Sequence, residues 1–186
     1  MTAIVAIVED NVVYIGGDSA GVSVEQLSIV TRKDPKVFKN GPFIMGFTSS
    51  FRMGQILQYT FTPPDHPYGM SIDMYMNTLF VDSVRYYLKE CGYAKIRENR
   101  ESGGNFLVGY MGRLFNIESD FQVGIPVKNY DAAGCGHDLC LGSLYSTEKF
   151  NLSPKKRIKM ALEAAEEFSA GVRRPFNILS MKYKVK

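Results

Sequence analysis

The sequence predicts an α+β fold, a four-layer α-β-β-α sandwich in which helices cover both outer faces of two stacked antiparallel sheets. Strand-like segments come in blocks, an order typical of antiparallel sheets rather than of alternating strand and helix units. Two helix-like segments follow each block, enough to cover one face of each sheet. A chain of 186 residues is long enough to bury one complete core, so residues 1–186 are predicted to form a single domain.

The first block opens with a hairpin. Two apolar runs flank the turn Glu9-Asp10-Asn11, and the second run ends in Gly16-Gly17-Asp18. Further β-branched or aromatic runs, each bounded by turn residues, extend the block. The predicted strands cover residues 2–9, 12–18, 22–30 and 42–47.

The two helices after this block begin at serine N-caps. Ser49 and Ser50 precede a helix-like segment at residues 51–57, and Ser71 precedes a longer one. In the longer segment, apolar residues recur at three-and-four spacing as far as Leu88, which predicts one continuous buried face.

The second block follows a polar segment at residues 98–104, which is predicted to be a loop. Apolar runs predict a hairpin, two extended segments and a final strand, at residues 106–118, 121–127, 130–133 and 176–181. Helices are predicted over residues 137–147 and from Ser153-Pro154, where an N-cap is followed by proline in the first turn, to a stop at Pro175.

The composition excludes several classes of function. The net charge of +3 is too small to indicate nucleic-acid binding, and the short basic runs at residues 155–157 and 182–186 are typical of solvated surface. No apolar stretch approaches the roughly 20 residues of a membrane helix. We therefore expect neither a nucleic-acid nor a membrane partner.

The cysteines indicate a reducing compartment. Cys91, Cys135 and Cys140 are odd in number, form no CxxC pair and follow no secretory signal, so a cytoplasmic location is predicted. His66 and His137 are far apart in the sequence, which disfavours a zinc site.

The N-terminus carries the most informative chemistry. Removal of Met1 would leave Thr2 with a hydroxyl and a free α-amine on one residue. A threonine hydroxyl is a weak nucleophile until a base takes its proton, and an N-terminal amine is one such base. The first hairpin would bring the Asp18 carboxylate back to this end of the strand.

Several ordered motifs give the chain a specific likeness. It resembles the proteasome β-subunits and their bacterial HslV-type relatives, which are N-terminal-nucleophile (Ntn) hydrolases, from Thr2 to about Met181. Besides the Thr2 strand, the motifs are Gly16-Gly17-Asp18-Ser19, Lys36-Val37-Phe38, Met45-Gly46-Phe47-Thr48-Ser49-Ser50, Gly134-Cys135-Gly136 and Ser169-Ala170-Gly171. The resemblance implies an Ntn-hydrolase sandwich.

The resemblance also implies a catalytic threonine and its partners. Thr2 would be the nucleophile and its α-amine the general base, so Met1 is expected to be removed. Asp18 would orient a lysine ammonium by a charge-assisted hydrogen bond. Lys36 precedes its strand as the family lysine does and is assigned this role. Lys33, which fits the raw spacing better but stands before a turn, stays open as the alternative.

Three further positions depart from the family pattern. The turn that supplies an oxyanion-hole amide usually has two glycines, and here it has Ser49 and Ser50. Cys135 stands where the family often has a serine, and a catalytic role and a buried structural role both stay open. Glu166 and Ser169 match an aspartate and a serine spaced by three, although glutamate is one methylene longer.

The resemblance requires no cofactor, but relatives hold a structural monovalent cation with backbone carbonyls. The matching carbonyls are those of Glu166, Ser169 and Val172. The specificity pocket would be built near Ala20, Val22 and Met45.

The implied function is that of a threonine-type peptidase subunit in a self-compartmentalising homo-oligomeric ring. Such a ring would take unfolded polypeptide from an ATP-dependent unfoldase. Two alternatives stay open: an inactive ring-forming scaffold, and an Ntn amidase acting on small amides.

Overall fold

The structure is a computed structural model that describes residues 1–183, so the last three residues of the basic tail lie outside it. The strands, in chain order, are β1 (Ala3–Glu9), β2 (Val12–Gly17), β3 (Ala20–Ser23), β4 (Ser28–Thr31), β5 (Val37–Asn40), β6 (Phe43–Phe47), β7 (Lys95–Arg97), β8 (Arg100–Ser102), β9 (Phe106–Tyr110), β10 (Arg113–Ile117), β11 (Val123–Gly124), β12 (Tyr130–Gly134) and β13 (Asn177–Lys182). The helices are α1 (Phe51–Gln55), α2 (Ile72–Tyr75), α3 (Val81–Glu90), α4 (His137–Ser146) and α5 (Pro154–Phe168).

The predicted four-layer sandwich is confirmed. One antiparallel sheet has the order β12-β1-β2-β13, and the other has the order β11-β10-β9-β6-β5. An apolar cluster that includes Ile4, Ile15, Ile44 and Leu107 fills the space between the sheets. Helices α1–α3 cover the second sheet, and α4 and α5 cover the first.

Glycines where the two sheets touch allow their close approach, and Gly46 is an example. A Cβ on Gly46 of β6 would lie 2.6 Å from Ile4 Cγ2 and 3.0 Å from Ile15 Cγ2, both on the facing sheet. A side chain there would push the sheets apart.

The helices begin as predicted. Ser50, Ser71 and Ser153 are N-caps whose side chains accept backbone N–H groups of the first turn, and Pro154 stands in the first turn of α5. Two π-helical turns were not predicted. Residues Ile56–Thr60 extend α1, and Met76–Phe80 join α2 to α3 in one run from Ile72 to Glu90.

Three segments differ from the sequence prediction. The strand predicted at residues 22–30 is the hairpin β3–β4, which turns at Leu27 in a left-handed conformation (φ +49°). Residues 98–102 of the predicted loop at 98–104 belong to the hairpin β7–β8, and only Val123–Gly124 of the segment 121–127 is a strand. In both hairpins the turn residues are neither glycine nor proline, so the usual turn signal is absent.

Within residues 1–183, no helix combines the length and the apolar composition needed to cross a lipid bilayer.

Candidate active site

The site forms at one edge of the first sheet, where the N-terminal end of β1 lies between the C-terminal ends of β2 and β12. β1 pairs with β2 so that Ile4 faces Gly17, and it pairs with β12 so that Ala3 faces Gly134. The residues just outside these pairs, Thr2, Asp18 and Cys135, are therefore brought to one edge of the sheet.

Lys36 completes this group. Its ammonium donates to Asp18 Oδ1 at 2.8 Å and to the Thr2 hydroxyl oxygen at 2.9 Å. The side chain lies just before β5 and is only 1% exposed, and Asp18 is fully buried. Lys33 is exposed, so the structure places Lys36 rather than Lys33 beside Thr2.

Backbone amides hold the Asp18 carboxylate in place. The Ala3 N–H donates to Oδ1 at 3.0 Å, and the N–H groups of Ala20 and Arg173 donate to Oδ2 at 2.8 Å and 3.2 Å. These three donors fix the orientation of the carboxylate, which in turn positions the Lys36 ammonium. The Arg173 amide was not foreseen because backbone donors leave no residue-type signal.

Burial lowers the pKa of the Lys36 ammonium below the ordinary lysine value, and the Asp18 carboxylate opposes that shift. The lysine therefore remains a hydrogen-bond donor to Thr2 but gives up its proton at a lower pH than a surface lysine does.

Ser49 has the backbone conformation expected of the glycine it replaces. Its φ is +63°, and its hydroxyl accepts the Asn105 N–H at 3.2 Å. Within residues 1–183, its own N–H donates to no protein group. Ser49 and Thr2 line the same cavity, whose volume is about 60 Å³.

Gly104 supports this turn. A Cβ there would lie 2.8 Å from Ser49 Cβ and 2.8 Å from Met53 Sδ.

Cys135 contacts the nitrogen of Thr2. The Thr2 N–H donates to Cys135 Sγ at 3.2 Å, and this sulfur lies 3.5 Å from Ser169 Oγ. Cys135 is exposed rather than buried. Met1 lies over Thr2: the Met1 carbonyl accepts a hydrogen bond from the Thr2 hydroxyl, and the Met1 side chain packs against Gly171.

Glu166 is not part of this group. Its carboxylate accepts the Arg174 N–H at 2.8 Å and the Arg174 guanidinium at 2.7 Å and 2.6 Å, and this pairing lowers the Glu166 pKa. Ser169 ends α5 and reaches Cys135. Of the predicted pair Glu166 and Ser169, only Ser169 lies beside the residues around Thr2.

The three predicted carbonyl residues share a second cavity. Glu166, Ser169 and Val172 line a space of about 450 Å³ at the end of α5. The Ser169 carbonyl accepts the Val172 N–H at 3.3 Å and keeps a second lone pair. Within residues 1–183, no group of three or more His, Cys, Asp and Glu residues is placed to hold a metal ion.

The cavity beside Thr2 is also lined by Ala20 and Val22, as predicted for the specificity pocket, but not by Met45, which is buried in the core. Phe47, two residues further along the same strand, lines it instead, together with Phe51. Sequence patterns did not single out Phe51 as a site residue.

No protein-family model matches the chain, and no curated protein matches it. Solved structures do. The BPH protein of Thiobacillus denitrificans, in complex with epoxomicin, has a TM-score of 0.80 at 19% identity, over 99% of this chain and 100% of that one. HslV from Trypanosoma brucei has a TM-score of 0.71 at 15% identity, over 98% of this chain and 100% of that one.

A third likeness is to Anbu, termed an ancestral β-subunit, from Yersinia bercovieri. Its TM-score is 0.67 at 13% identity, over 97% of this chain and 82% of that one. At these identities the likeness establishes the fold. The chain has the HslV/proteasome-type Ntn-hydrolase fold, which confirms the likeness read from its motifs.

Proposed function

We propose that the chain is an N-terminal threonine peptidase subunit. The observation that carries this proposal is the buried ammonium of Lys36, held between the Asp18 carboxylate and the Thr2 hydroxyl at 2.8 Å and 2.9 Å. Burying two charges costs free energy, so an apolar pair would serve the fold at least as well. In catalysis the ammonium beside Thr2 has a use, because it stabilises an alkoxide.

Removal of Met1 comes first. While Met1 is attached, the Thr2 nitrogen is an amide and cannot take a proton. Once it is free, this amine serves as general base, and Cys135 Sγ and, beyond it, Ser169 Oγ are placed to orient it.

Acylation follows. The Thr2 oxygen attacks the peptide carbonyl carbon, its proton passes to the α-amine, and the ammonium of Lys36 stabilises the oxygen as it reacts. The carbonyl oxygen becomes an oxyanion that accepts the free Ser49 N–H. The C–N bond then breaks, the leaving amine takes the proton from the α-ammonium, and an ester on Thr2 remains.

Deacylation reverses the roles. Water replaces the leaving amine, the α-amine takes one of its protons, and attack on the ester carbon releases the carboxylic acid and the Thr2 hydroxyl. No redox or metal step is needed to balance the reaction.

The proposed setting is a homo-oligomeric ring. The ring would degrade unfolded polypeptide delivered by an ATP-dependent unfoldase. Support comes from the fold and from large apolar side chains left in water on the β3–β4 hairpin, where Val24 is 64% and Leu27 is 92% exposed. A monovalent cation held by the carbonyls of Glu166, Ser169 and Val172 would fix the turn that carries Ser169.

An inactive ring-forming scaffold is the second candidate, and Cys135 favours it, because a thiol is a weaker hydrogen-bond partner for the Thr2 nitrogen than the serine that the family often has there. A chain that kept Met1 would also lack the general base. Digestion of a protein distinguishes an active peptidase from an inactive scaffold. It also distinguishes a peptidase from an amidase that acts only on small amides.

The test is digestion of an unfolded protein such as reduced casein by the purified chain. Thr2→Ala is the key variant, because alanine, like threonine, allows Met1 to be removed. Thr60→Ala, at an exposed threonine far along the chain, is the control. We expect digestion by the wild type and Thr60→Ala and none by Thr2→Ala. Digestion by Thr2→Ala, or by none of the three, would refute the proposal.

A further inference from the structure

The turn that presents the Ser49 N–H has a strained backbone. The φ of Ser49 is +63°, and across this residue the Ser50 N–H donates to the Thr48 carbonyl at 2.6 Å. A hydrogen bond that spans one residue at positive φ forms the rarer and more strained type of γ-turn. Positive φ is unfavourable for a residue that has a Cβ, so Ser49 keeps this conformation only where its surroundings hold it.

The hydroxyl groups of Thr48 and Ser49 tie this turn to the backbone of Asn105. The Asn105 N–H donates to Ser49 Oγ at 3.2 Å. The Asn105 carbonyl accepts the Thr48 N–H at 3.0 Å and the Thr48 hydroxyl at 2.9 Å. The turn is therefore bonded to Asn105 through both of its first two residues.

The two hydroxyl groups also bond to each other. Thr48 Oγ1 and Ser49 Oγ lie 3.2 Å apart. Because the Thr48 proton is directed at the Asn105 carbonyl, the Ser49 hydroxyl is the donor in this contact. The bonds form a closed ring in which each hydroxyl donates once and accepts once, so the Ser49 hydroxyl acts on the turn.

Asn105 anchors this ring to the second sheet. It directly precedes β9, which pairs with β6, the strand that leads into the turn. Its side-chain amide donates to the Glu118 carboxylate. Gly104 leaves room for the ring, since a Cβ there would lie 2.9 Å from Ser49 Oγ.

We propose that the Ser49 hydroxyl is a positioning group, which holds the Ser49 N–H toward the oxyanion through its ring with Thr48 and Asn105. The inference rests on the proposed function and adds a residue that orients its oxyanion donor. Without the hydroxyl, a residue with a Cβ would relax toward negative φ, which reorients the peptide unit that carries the N–H. Glycine would keep the turn without a hydroxyl, because it populates positive φ readily.

The test compares Ser49→Ala, which removes only the hydroxyl, with Ser49→Gly, which removes it but permits the turn. On one fluorogenic peptide, Ser49→Ala should lower kcat roughly tenfold with little change in KM, because the N–H acts on the oxyanion of the transition state. Ser49→Gly should keep kcat within about threefold of the wild type. Thr48→Val breaks the ring at its other hydroxyl and should also lower kcat. Ser146→Ala, at an exposed serine elsewhere, should leave kcat unchanged.

Inhibition by a peptide aldehyde gives a second measurement, which a loss of folded protein would not alter. The Thr2 hydroxyl adds to the aldehyde carbon, and the tetrahedral product places an oxygen where the oxyanion forms. Its Ki should therefore rise in Ser49→Ala by the factor by which kcat/KM falls, and Ser49→Gly should restore it.

The outcomes separate the inference from the proposed function. Ser49→Ala with the kcat and Ki of the wild type would overturn the inference alone. So would Ser49→Gly that is as slow as Ser49→Ala, because the effect of the hydroxyl would then not depend on the turn. A wild type that is neither labelled at Thr2 by an epoxyketone nor active on the peptide would overturn the proposed function as well.

Discussion

Among single residues, Lys36 is the one on which catalysis at Thr2 is expected to depend most. Its ammonium contacts both Thr2 and Asp18, whereas Lys33, three residues earlier, is exposed. We expect Lys36→Met to slow peptide cleavage by a factor on the order of 10²–10³, because an oxyanion-type contact is worth that much. Lys33→Met should retain wild-type kcat/KM. Equal losses in the two variants would show that Lys36 has no special role.

Lys36→Met should also cost stability. The Asp18 carboxylate would stay buried without its cation, which typically costs about 3–5 kcal/mol. Urea unfolding of the variant beside Lys33→Met measures this. A free energy of unfolding equal to that of the control would contradict the burial argument.

The pH dependence of cleavage follows from the lowered pKa of Lys36. Cleavage needs the ammonium, so we expect the rate to fall as the pH rises through this lowered pKa, below the ordinary lysine value of 10.5. A rate profile that stays level up to the ordinary lysine range would contradict the prediction.

The lowered pKa of Lys36 affects stability in the direction opposite to its effect on the cleavage rate. Between the lowered pKa and 10.5, the unfolded chain binds more protons than the folded chain. Linkage therefore makes the contribution of Lys36 to the free energy of unfolding increase with pH in that window.

The sequence brought Thr2, Asp18 and Ser49 together because each stands next to the end of a strand that the apolar pattern reveals: Thr2 precedes β1, Asp18 follows β2 and Ser49 comes shortly after β6. It left Lys33 open beside Lys36 because the turn between β4 and β5 sets which of them points inward. Phe51 was missed, since an aromatic residue in the first turn of a helix carries no signal that separates a cavity wall from the core.

At the element scale, the stacking of the two sheets depends on small residues where they touch. Gly46→Ala would place a methyl group 2.6 Å from Ile4 Cγ2, and we expect a loss of about 1–3 kcal/mol in the free energy of unfolding, measured in urea. Gly142→Ala is the matched control. The added methyl group would meet nothing within 4 Å, and the substitution replaces a glycine inside a helix. The free energy of unfolding should therefore rise by about 0.5–1 kcal/mol. Equal effects would contradict the packing argument.

Long periodic elements were predictable and short polar ones were not. The N-caps at Ser50, Ser71 and Ser153 carry local chemistry that sequence shows directly. The β7–β8 hairpin is rich in charged residues and turns at Glu98 and Asn99, both at positive φ, so its composition resembles that of a loop. The β3–β4 hairpin turns at Leu27, a residue that rarely signals a turn.

At the scale of the whole molecule, we expect a homo-oligomer. Native mass spectrometry should give a closed assembly at a multiple of the 20.9 kDa chain, less Met1. Apolar side chains such as Leu27 would then be covered by a neighbouring subunit, since burying them is favourable. A stable monomer at micromolar concentration would contradict this expectation.

Catalysis by Thr2 requires a free amine and an activated hydroxyl on the same residue. Both are tested by the intact mass of the chain before and after incubation with an epoxyketone such as epoxomicin, which offers a ketone carbon to the hydroxyl and an epoxide carbon to the amine. We expect a chain without Met1 that gains the mass of one inhibitor at Thr2, and no gain in Thr2→Ala. A chain that retains Met1, or a processed chain that gains no mass, would contradict it.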